Sequence, residues 1–130
     1  MKPFLIALLA LLAADAATAQ RLVANSNYEA SGTSPGWRLG IGDHIVLRFA
    51  PDQDGFVVVQ NFPRARRRTV DGVRRWESRT AGGSIMVIEA RESPCTQGGE
   101  TFRDSVTITQ SERRLTGCGG PRLRNPAPQP

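Results

Sequence analysis

Histidine, cysteine and aromatic residues are scarce in this chain of 130 residues. The one histidine, His44, and the two cysteines, Cys95 and Cys118, do not complete the four-ligand shell of a zinc site, so we expect no metal and no other cofactor. No Gly-x-Ser-x-Gly turn is present to carry a nucleophilic serine. The carboxylates have no spacing that singles out an acid pair for sugar hydrolysis. The sequence therefore predicts a protein that is not an enzyme.

Long hydrophobic runs are also lacking, with one exception at the start of the chain. A positively charged start precedes an apolar run over residues 4–14, which is shorter than the roughly 20 residues of a membrane-spanning helix. Small residues follow at 17–19, in the pattern that a signal peptidase reads. This pattern predicts a signal peptide over residues 1–19, cut after Ala19, and a periplasmic or secreted protein that does not span a membrane. A buried N-terminal core helix is the alternative.

Lysine is absent after Lys2, so arginine carries almost the whole positive charge of a chain with a net charge of +5. One interpretation is a surface that binds anions, because the planar guanidinium group binds phosphate or carboxylate in a two-pronged geometry that lysine cannot copy. The other is a GC-rich genome that favours arginine codons. Codon use does not explain the excess of positive over negative charge, and this excess indicates an acidic partner.

The positive charge does not indicate nucleic acid. Aromatic residues, which stack on bases, make up only 6% of the chain, and an exported protein does not meet a genome. We therefore expect no nucleic-acid partner. An anionic polymer of the cell envelope or an acidic protein is the partner that the composition favours.

The two cysteines form an even count in a chain that we expect to be exported, and this predicts a disulfide between Cys95 and Cys118. The bond would close a loop of about two dozen residues. In the chain-entropy model such a loop stabilises the fold by roughly 3 kcal/mol.

Apolar and polar residues alternate along the chain, as is typical of half-buried strands, and no segment after residue 19 has sustained helical periodicity. The pattern predicts an all-β fold, a small antiparallel β-barrel of about eight short strands, with a sandwich as the alternative. We expect the domain to cover residues 20–120. Gly119-Gly120-Pro121 is expected to end the last strand, and the proline-rich residues 121–130 are expected to form a disordered tail. Predicted strands include residues 37–41, 45–49, 56–60, 85–90 and 115–118.

The dipeptide Asp71-Gly72 lies between two strand-like segments and predicts a β-hairpin with a two-residue type I′ turn. Such a loop sets the register of the two strands. The predicted pairs are Val70 with Val73, Thr69 with Arg74, Arg68 with Arg75, Arg67 with Trp76, and Arg66 with Glu77.

Alternation of side chains places Arg66, Arg68, Arg75 and Arg79 on one face of this hairpin, together with Glu77. Trp76 lies on the other face and is the better core residue, so the arginines should face the solvent. Arg68 opposite Arg75 is a like-charge pair that costs free energy unless an anion bridges it. These four arginines are the candidate anion-binding site. A solvated edge whose charges deter aggregation is the alternative.

Two sequence stretches resemble a family of small, uncharacterised bacterial envelope proteins, many of them lipoproteins. The first runs from Tyr28 through Gly32 to Pro35-Gly36-Trp37-Arg38-Leu39 and is similar to a G-x-E-P-G-W-x-L opening, with Ser34 in place of the acidic residue. The second combines Cys95 with Leu115-Thr116-Gly117-Cys118-Gly119-Gly120, similar to an L-x-G-C-G ending. The resemblance makes Pro35, Gly36 and Trp37 a candidate motif surface, with Trp37 either a contact residue or a core residue.

More loosely, the chain resembles META/HslJ domains and periplasmic inhibitors of C-type lysozyme. That likeness implies a small barrel with a binding role, although similarity of fold does not transfer function. Inhibition of a C-type lysozyme is therefore the alternative to an anionic partner. Lysozymes of that type are basic, and a protein of net charge +5 would be repelled from them at long range.

Overall fold

The computed structural model describes residues 26–50 and 57–124, which form antiparallel strands without any helix. This confirms the predicted all-β fold. The predicted signal peptide, the start of the predicted strand 56–60 and residues 125–130 lie outside the described residues. No helix in the described part is long and apolar enough to cross a membrane. The nine strands of this part are β1 (Tyr28–Thr33), β2 (Gly36–Ile41), β3 (Ile45–Phe49), β4 (Val58–Phe62), β5 (Arg66–Val70), β6 (Val73–Arg79), β7 (Ile85–Gln97), β8 (Glu100–Gln110) and β9 (Arg113–Leu123).

One sheet with the order β4-β3-β2-β1-β9-β8-β7-β6-β5 curls into a half-barrel. The chain runs up and down from strand to strand, and β9 returns to pair antiparallel with β1. Antiparallel pairing at this seam requires β4 and β5 to run in the same direction. The two strands are joined by residues 63–65 and form the two edges of the sheet, β4 beside β3 and β5 beside β6. The described residues therefore form nine strands, where the sequence predicts about eight.

A side chain of β6 fixes the connection between β4 and β5 by a hydrogen bond. Ser78 is buried, and its hydroxyl donates a hydrogen bond of 2.7 Å to the carbonyl oxygen of Pro63. Proline is suited to this position because it lacks an N–H group that a sheet neighbour would have to accept. The core lies on the concave side of the sheet. Its fully buried side chains include Leu39, Ile45, Leu47, Met86, Ile88 and Ile108.

The β5–β6 hairpin has the predicted register at every position, including Arg68 opposite Arg75 and Arg66 opposite Glu77. Asp71 and Gly72 have φ angles of 53° and 78°, the positive values that a type I′ turn requires at both central residues. The aspartate–glycine dipeptide therefore determines which side chains share each face of the hairpin.

The predicted end of the last strand is wrong. β9 continues through Gly119-Gly120-Pro121 to Leu123, which pairs with Thr101 on β8. The register between β8 and β9 shifts between Phe102 and Asp104, opposite Pro121. At such an irregularity a proline costs no regular ladder hydrogen bond, so it is tolerated inside the strand. The first three residues of the predicted tail therefore belong to the sheet.

The predicted disulfide is present between Cys95 on β7 and Cys118 on β9, with Cα atoms 5.4 Å apart. These two strands flank β8 on either side. The bond therefore connects β7 to β9 across β8, at the point where Cys118 pairs with Ser31 on β1.

Trp37 belongs to the core, so it does not form part of a motif surface. Its exposed fraction is 3%, and its indole N–H donates a hydrogen bond of 3.1 Å to the carbonyl oxygen of Thr116 across the seam. Gly32 and Gly117 leave room for the indole, because a Cβ at either position would overlap it. Gly32, Gly117 and Trp37 therefore pack together where β1 meets β9.

Replacing Gly117 with alanine should therefore lower the free energy of unfolding by about 1–3 kcal/mol, the usual cost of overpacking a core. The new Cβ would overlap both the Ser31 carbonyl oxygen and the ring of Trp37. Urea unfolding measures the change. Gly36→Ala is the matched control, since nothing lies within 4 Å of a Cβ there. Equal stability of the two variants would contradict this account of the seam.

Candidate functional site

The β5–β6 hairpin gathers the predicted arginines on one surface, which we call the arginine face. This surface contains a cleft with a volume of about 840 Å³. The structure adds Arg64 to the predicted set, and Arg67 borders the same surface although its guanidinium group packs near Trp76 on the opposite side of the hairpin. The lining residues are Arg64, Arg66, Arg67, Arg68, Arg75, Glu77 and Arg79.

Strand geometry sets the spacing of the positive charges on this face. Arg68 and Arg75 stand directly opposite each other, which puts their Cα atoms about 5 Å apart. Arg75 and Arg79 lie on the same side of β6, four residues apart. At about 3.3 Å per residue, their Cα atoms are about 13 Å apart.

Little negative charge compensates these arginines. Glu77 lies 3.9 Å from a terminal nitrogen of Arg75, and both side chains are 38% exposed, so the pair is a weak surface contact. Glu89 faces Arg75 from β7, yet no ion pair joins them in the part of the chain that the structure describes. Within the same ranges, Arg64, Arg66, Arg68 and Arg79 have no carboxylate partner.

The Nε atom of Arg75 is buried and has no hydrogen-bond partner. A buried donor without an acceptor costs about 1–3 kcal/mol, and more when the group is charged. The like charge of Arg68 across the strands adds to this cost. An anion seated between the two guanidinium groups would offset the like-charge repulsion between Arg68 and Arg75.

The opposite side of the hairpin is structural. Trp76 is buried there, as predicted, and its ring centroid lies 4.8 Å from that of Tyr28. The guanidinium group of Arg67 lies 5.8 Å from the Trp76 ring, and that of Arg74 lies 5.4 Å from the Tyr28 ring. These cation–π contacts hold the hairpin against the core.

A second cluster of polar residues surrounds Asp104, whose side chain is completely buried. Its carboxylate accepts hydrogen bonds from the Tyr28 hydroxyl at 2.8 Å, from Arg74 at 2.6 Å, and from Arg103 at 2.9 and 3.1 Å. We call these four residues the carboxylate cluster. It connects β1, β6 and β8, so one buried charge joins three separate parts of the sheet.

The pKa values in the carboxylate cluster follow from this geometry. Burial acts to raise the pKa of Asp104, but the hydrogen bonds from Arg103, Tyr28 and Arg74 outweigh it and hold the pKa below its ordinary value. Burial and the hydrogen bond to Asp104 raise the pKa of Tyr28 above its ordinary value. Asp104 is therefore ionised and Tyr28 is protonated at neutral pH. These protonation states preserve the hydrogen bond that the Tyr28 hydroxyl donates to the Asp104 carboxylate.

Two glycines of β9, Gly119 and Gly120, make room for the carboxylate cluster. A Cβ at Gly119 would lie 2.6 Å from the Tyr28 hydroxyl oxygen, and a Cβ at Gly120 would lie 2.6 Å from an Asp104 carboxylate oxygen. Gly120 also has a φ angle of 78°, which side chains rarely adopt. These residues were predicted to end a strand. Their small size instead serves the buried carboxylate beside them.

The remaining predicted site residues lie elsewhere in the sheet. Pro35 and Gly36 are exposed near the turn between β1 and β2, and four strands separate β2 from β6. The structure therefore does not bring them to the arginine face. His44 is exposed at the start of β3, and residues 26–50 and 57–124 contain no group of three His, Cys, Asp or Glu side chains that could hold a metal ion.

The chain was compared with known proteins by sequence and by structure. No protein-family model, no curated protein and no solved structure matches the chain.

Proposed function

We propose that this protein is an exported, non-enzymatic component of the cell envelope that binds an anionic partner through the arginine face. The observation that carries the proposal is the like-charged pair of Arg68 and Arg75, which Glu77 compensates only weakly on a face lined mostly by arginines. An anionic envelope polymer or an acidic protein would supply the balancing negative charge.

Export is supported by two features. The sequence begins with a signal-peptide pattern, and the disulfide between Cys95 and Cys118 is compatible with an oxidising compartment. In the periplasm or outside the cell, the arginine face would meet phosphorylated and carboxylated envelope polymers at high local concentration. Charge attraction would then accelerate the encounter as well as stabilise the complex.

Salt dependence tests this proposal. We expect the oxidised protein to bind fluorescently labelled dextran sulfate, with an affinity at least about tenfold lower in about 200 mM NaCl than in about 50 mM NaCl, because salt screens exposed charges. Fluorescence anisotropy measures the dissociation constants. An affinity that does not change with salt, or no binding at either concentration, would contradict the proposal.

Inhibition of a C-type lysozyme stays a prediction from the resemblance. The net charge of +5 opposes the approach of this protein to a basic enzyme. An activity assay with hen lysozyme is the measurement. Stoichiometric inhibition would put this function ahead of the anionic partner.

A further inference from the structure

We propose that the arginine face recognises two separate phosphate groups on one ligand, one at each end of the β5–β6 hairpin. This inference rests on the proposed function and specifies the ligand of the same site. Three features of the hairpin carry it: the opposed pair at one end, the second group of arginines at the other end, and the carboxylate between them.

The first phosphate position lies between Arg68 and Arg75. A carboxylate has two oxygens and is saturated by one guanidinium fork, whereas a phosphate monoester has three terminal oxygens and carries up to two negative charges. Two opposed guanidinium groups therefore match a phosphate in both charge and number of donors. The terminal nitrogens of the two guanidinium groups would be these donors.

The second position lies at the other end of the hairpin, around Arg79. Arg66 on β5 is opposite Glu77, which makes it the diagonal neighbour of Arg79, at about 7–8 Å between backbones and within reach of long side chains. Arg64, just before β5, lines the same surface. Arg79 and Arg66 are exposed and lack carboxylate partners among the described residues.

Glu77 separates the two positions. It lies on β6 midway between Arg75 and Arg79, on the same face. Its carboxylate repels an anion at the centre of the face, so negative charge is best placed at the two ends. A ligand with one phosphate at each end of the face would avoid this carboxylate.

Rigid bisphosphates of different length test the spacing. The probes are biphenyl-4,4′-diyl bisphosphate, in which two aromatic rings separate the phosphates, and 1,4-phenylene bisphosphate, in which only one ring separates them. Biphenyl monophosphate controls for the second ring. We expect the long bisphosphate to bind at least about tenfold more tightly than the short bisphosphate and the monophosphate by isothermal titration calorimetry, because only it reaches both positions.

Variants assign the two positions. Arg79→Thr should reduce the affinity for the long bisphosphate to about that for biphenyl monophosphate, whereas Arg38→Thr, outside the arginine face, should leave the affinity for the long bisphosphate unchanged. Glu77→Gln should narrow the gap between the long and short probes, since it removes the barrier between the two positions. Equal affinities for the long and short bisphosphates would overturn the inference. If dextran sulfate still binds with strong salt dependence in that case, the proposed function survives; if neither probe nor polymer binds, both fail.

Two phosphates on one ligand could belong to a lipid headgroup or to a soluble compound. Vesicles that contain a doubly phosphorylated glycolipid distinguish these sources, with singly phosphorylated glycolipid vesicles as the control. Sedimentation with the doubly phosphorylated vesicles alone, reversed by the long bisphosphate, would identify a headgroup. Binding of the long bisphosphate without sedimentation would identify a soluble ligand. Equal sedimentation with both vesicles would overturn recognition of two phosphates.

Discussion

Replacing Asp104 with alanine is expected to lower the free energy of unfolding by about 3–5 kcal/mol, the usual cost of removing one partner from a buried ion pair. Asp104 is completely buried and accepts hydrogen bonds from Tyr28, Arg74 and Arg103. Without the carboxylate, Arg74 and Arg103 would repel each other beside a buried hydroxyl that has lost its acceptor. Urea unfolding at neutral pH, with the disulfide intact, measures the change.

Glu100→Ala provides the matched control. Glu100 forms an ion pair of 3.1 Å with Arg122, but both side chains are largely exposed, so its removal should cost about 0–1 kcal/mol. A loss for Asp104→Ala as small as that for the control would show that the carboxylate cluster does not stabilise the sheet.

The same cluster predicts how stability depends on pH. The pKa of Asp104 is lower in the folded protein than in the unfolded chain, because its hydrogen bonds outweigh the effect of burial. Its contribution is therefore complete above the unfolded-state value of about 3.9 and is lost as the pH falls through the folded-state value. The stability difference between the wild-type protein and Asp104→Ala should shrink in acid. A difference that stays constant down to about pH 2 would contradict this assignment.

The double variant Arg68→Thr/Arg75→Thr is expected to bind dextran sulfate at least about tenfold more weakly than the wild-type protein. Each of these arginines supplies charged donors, and hydrogen bonds of charged groups contribute about 1.5–3 kcal/mol. Threonine suits a strand, so the substitution should leave the hairpin intact. Fluorescence anisotropy at low salt measures the loss.

The chain offers a matched control for this variant. Arg38 on β2 stands opposite Arg48 on β3, and both side chains are exposed. Arg38→Thr/Arg48→Thr removes the same charge from a like-charge pair that does not line the arginine face. If both double variants lose the same affinity, binding follows net charge and the arginine face is not a specific site.

The predicted parts of the fold are those determined by local chemistry. The Asp71-Gly72 turn sets its own φ angles, and a two-residue loop then sets every pair between β5 and β6. The arginine face could therefore be predicted residue by residue from a short segment. Arg64 was missed because it precedes β5, and it joins the face only because the chain bends at Pro63.

The carboxylate cluster could not be predicted in the same way, because its members are distant in sequence. Arg74 lies 30 residues before Asp104, and Tyr28 lies 76 residues before it. One signal was present: Asp104 shares the inward face of its strand with Val106 and Ile108, where an acidic residue needs a partner. The partner itself depends on how β1, β6 and β8 come together.

The end of β9 was predicted wrongly from its glycines, and the reason is again that contacts between distant residues are not visible in the sequence. Gly119-Gly120 followed by proline is typical of a turn, and only the packing of the Tyr28 hydroxyl and the Asp104 carboxylate shows why small residues lie inside the strand. The ambiguity over Trp37 has the same origin. Its burial depends on Gly117 and Thr116, which are about 80 residues away along the chain but lie on β9, two strands from β2, where the indole reaches them over Gly32 of β1.

The most direct test of the central claim is to locate the bound anion by nuclear magnetic resonance. Arginine Nε–Hε signals of ¹⁵N-labelled protein, assigned with the threonine variants, would be followed during addition of a short dextran sulfate oligomer. We predict that the signals of Arg68 and Arg75 shift and saturate, because these two arginines stand opposite each other on the arginine face. Shifts confined to Arg38 and Arg48, with Arg68 and Arg75 unchanged, would contradict the assignment of the arginine face as the binding site.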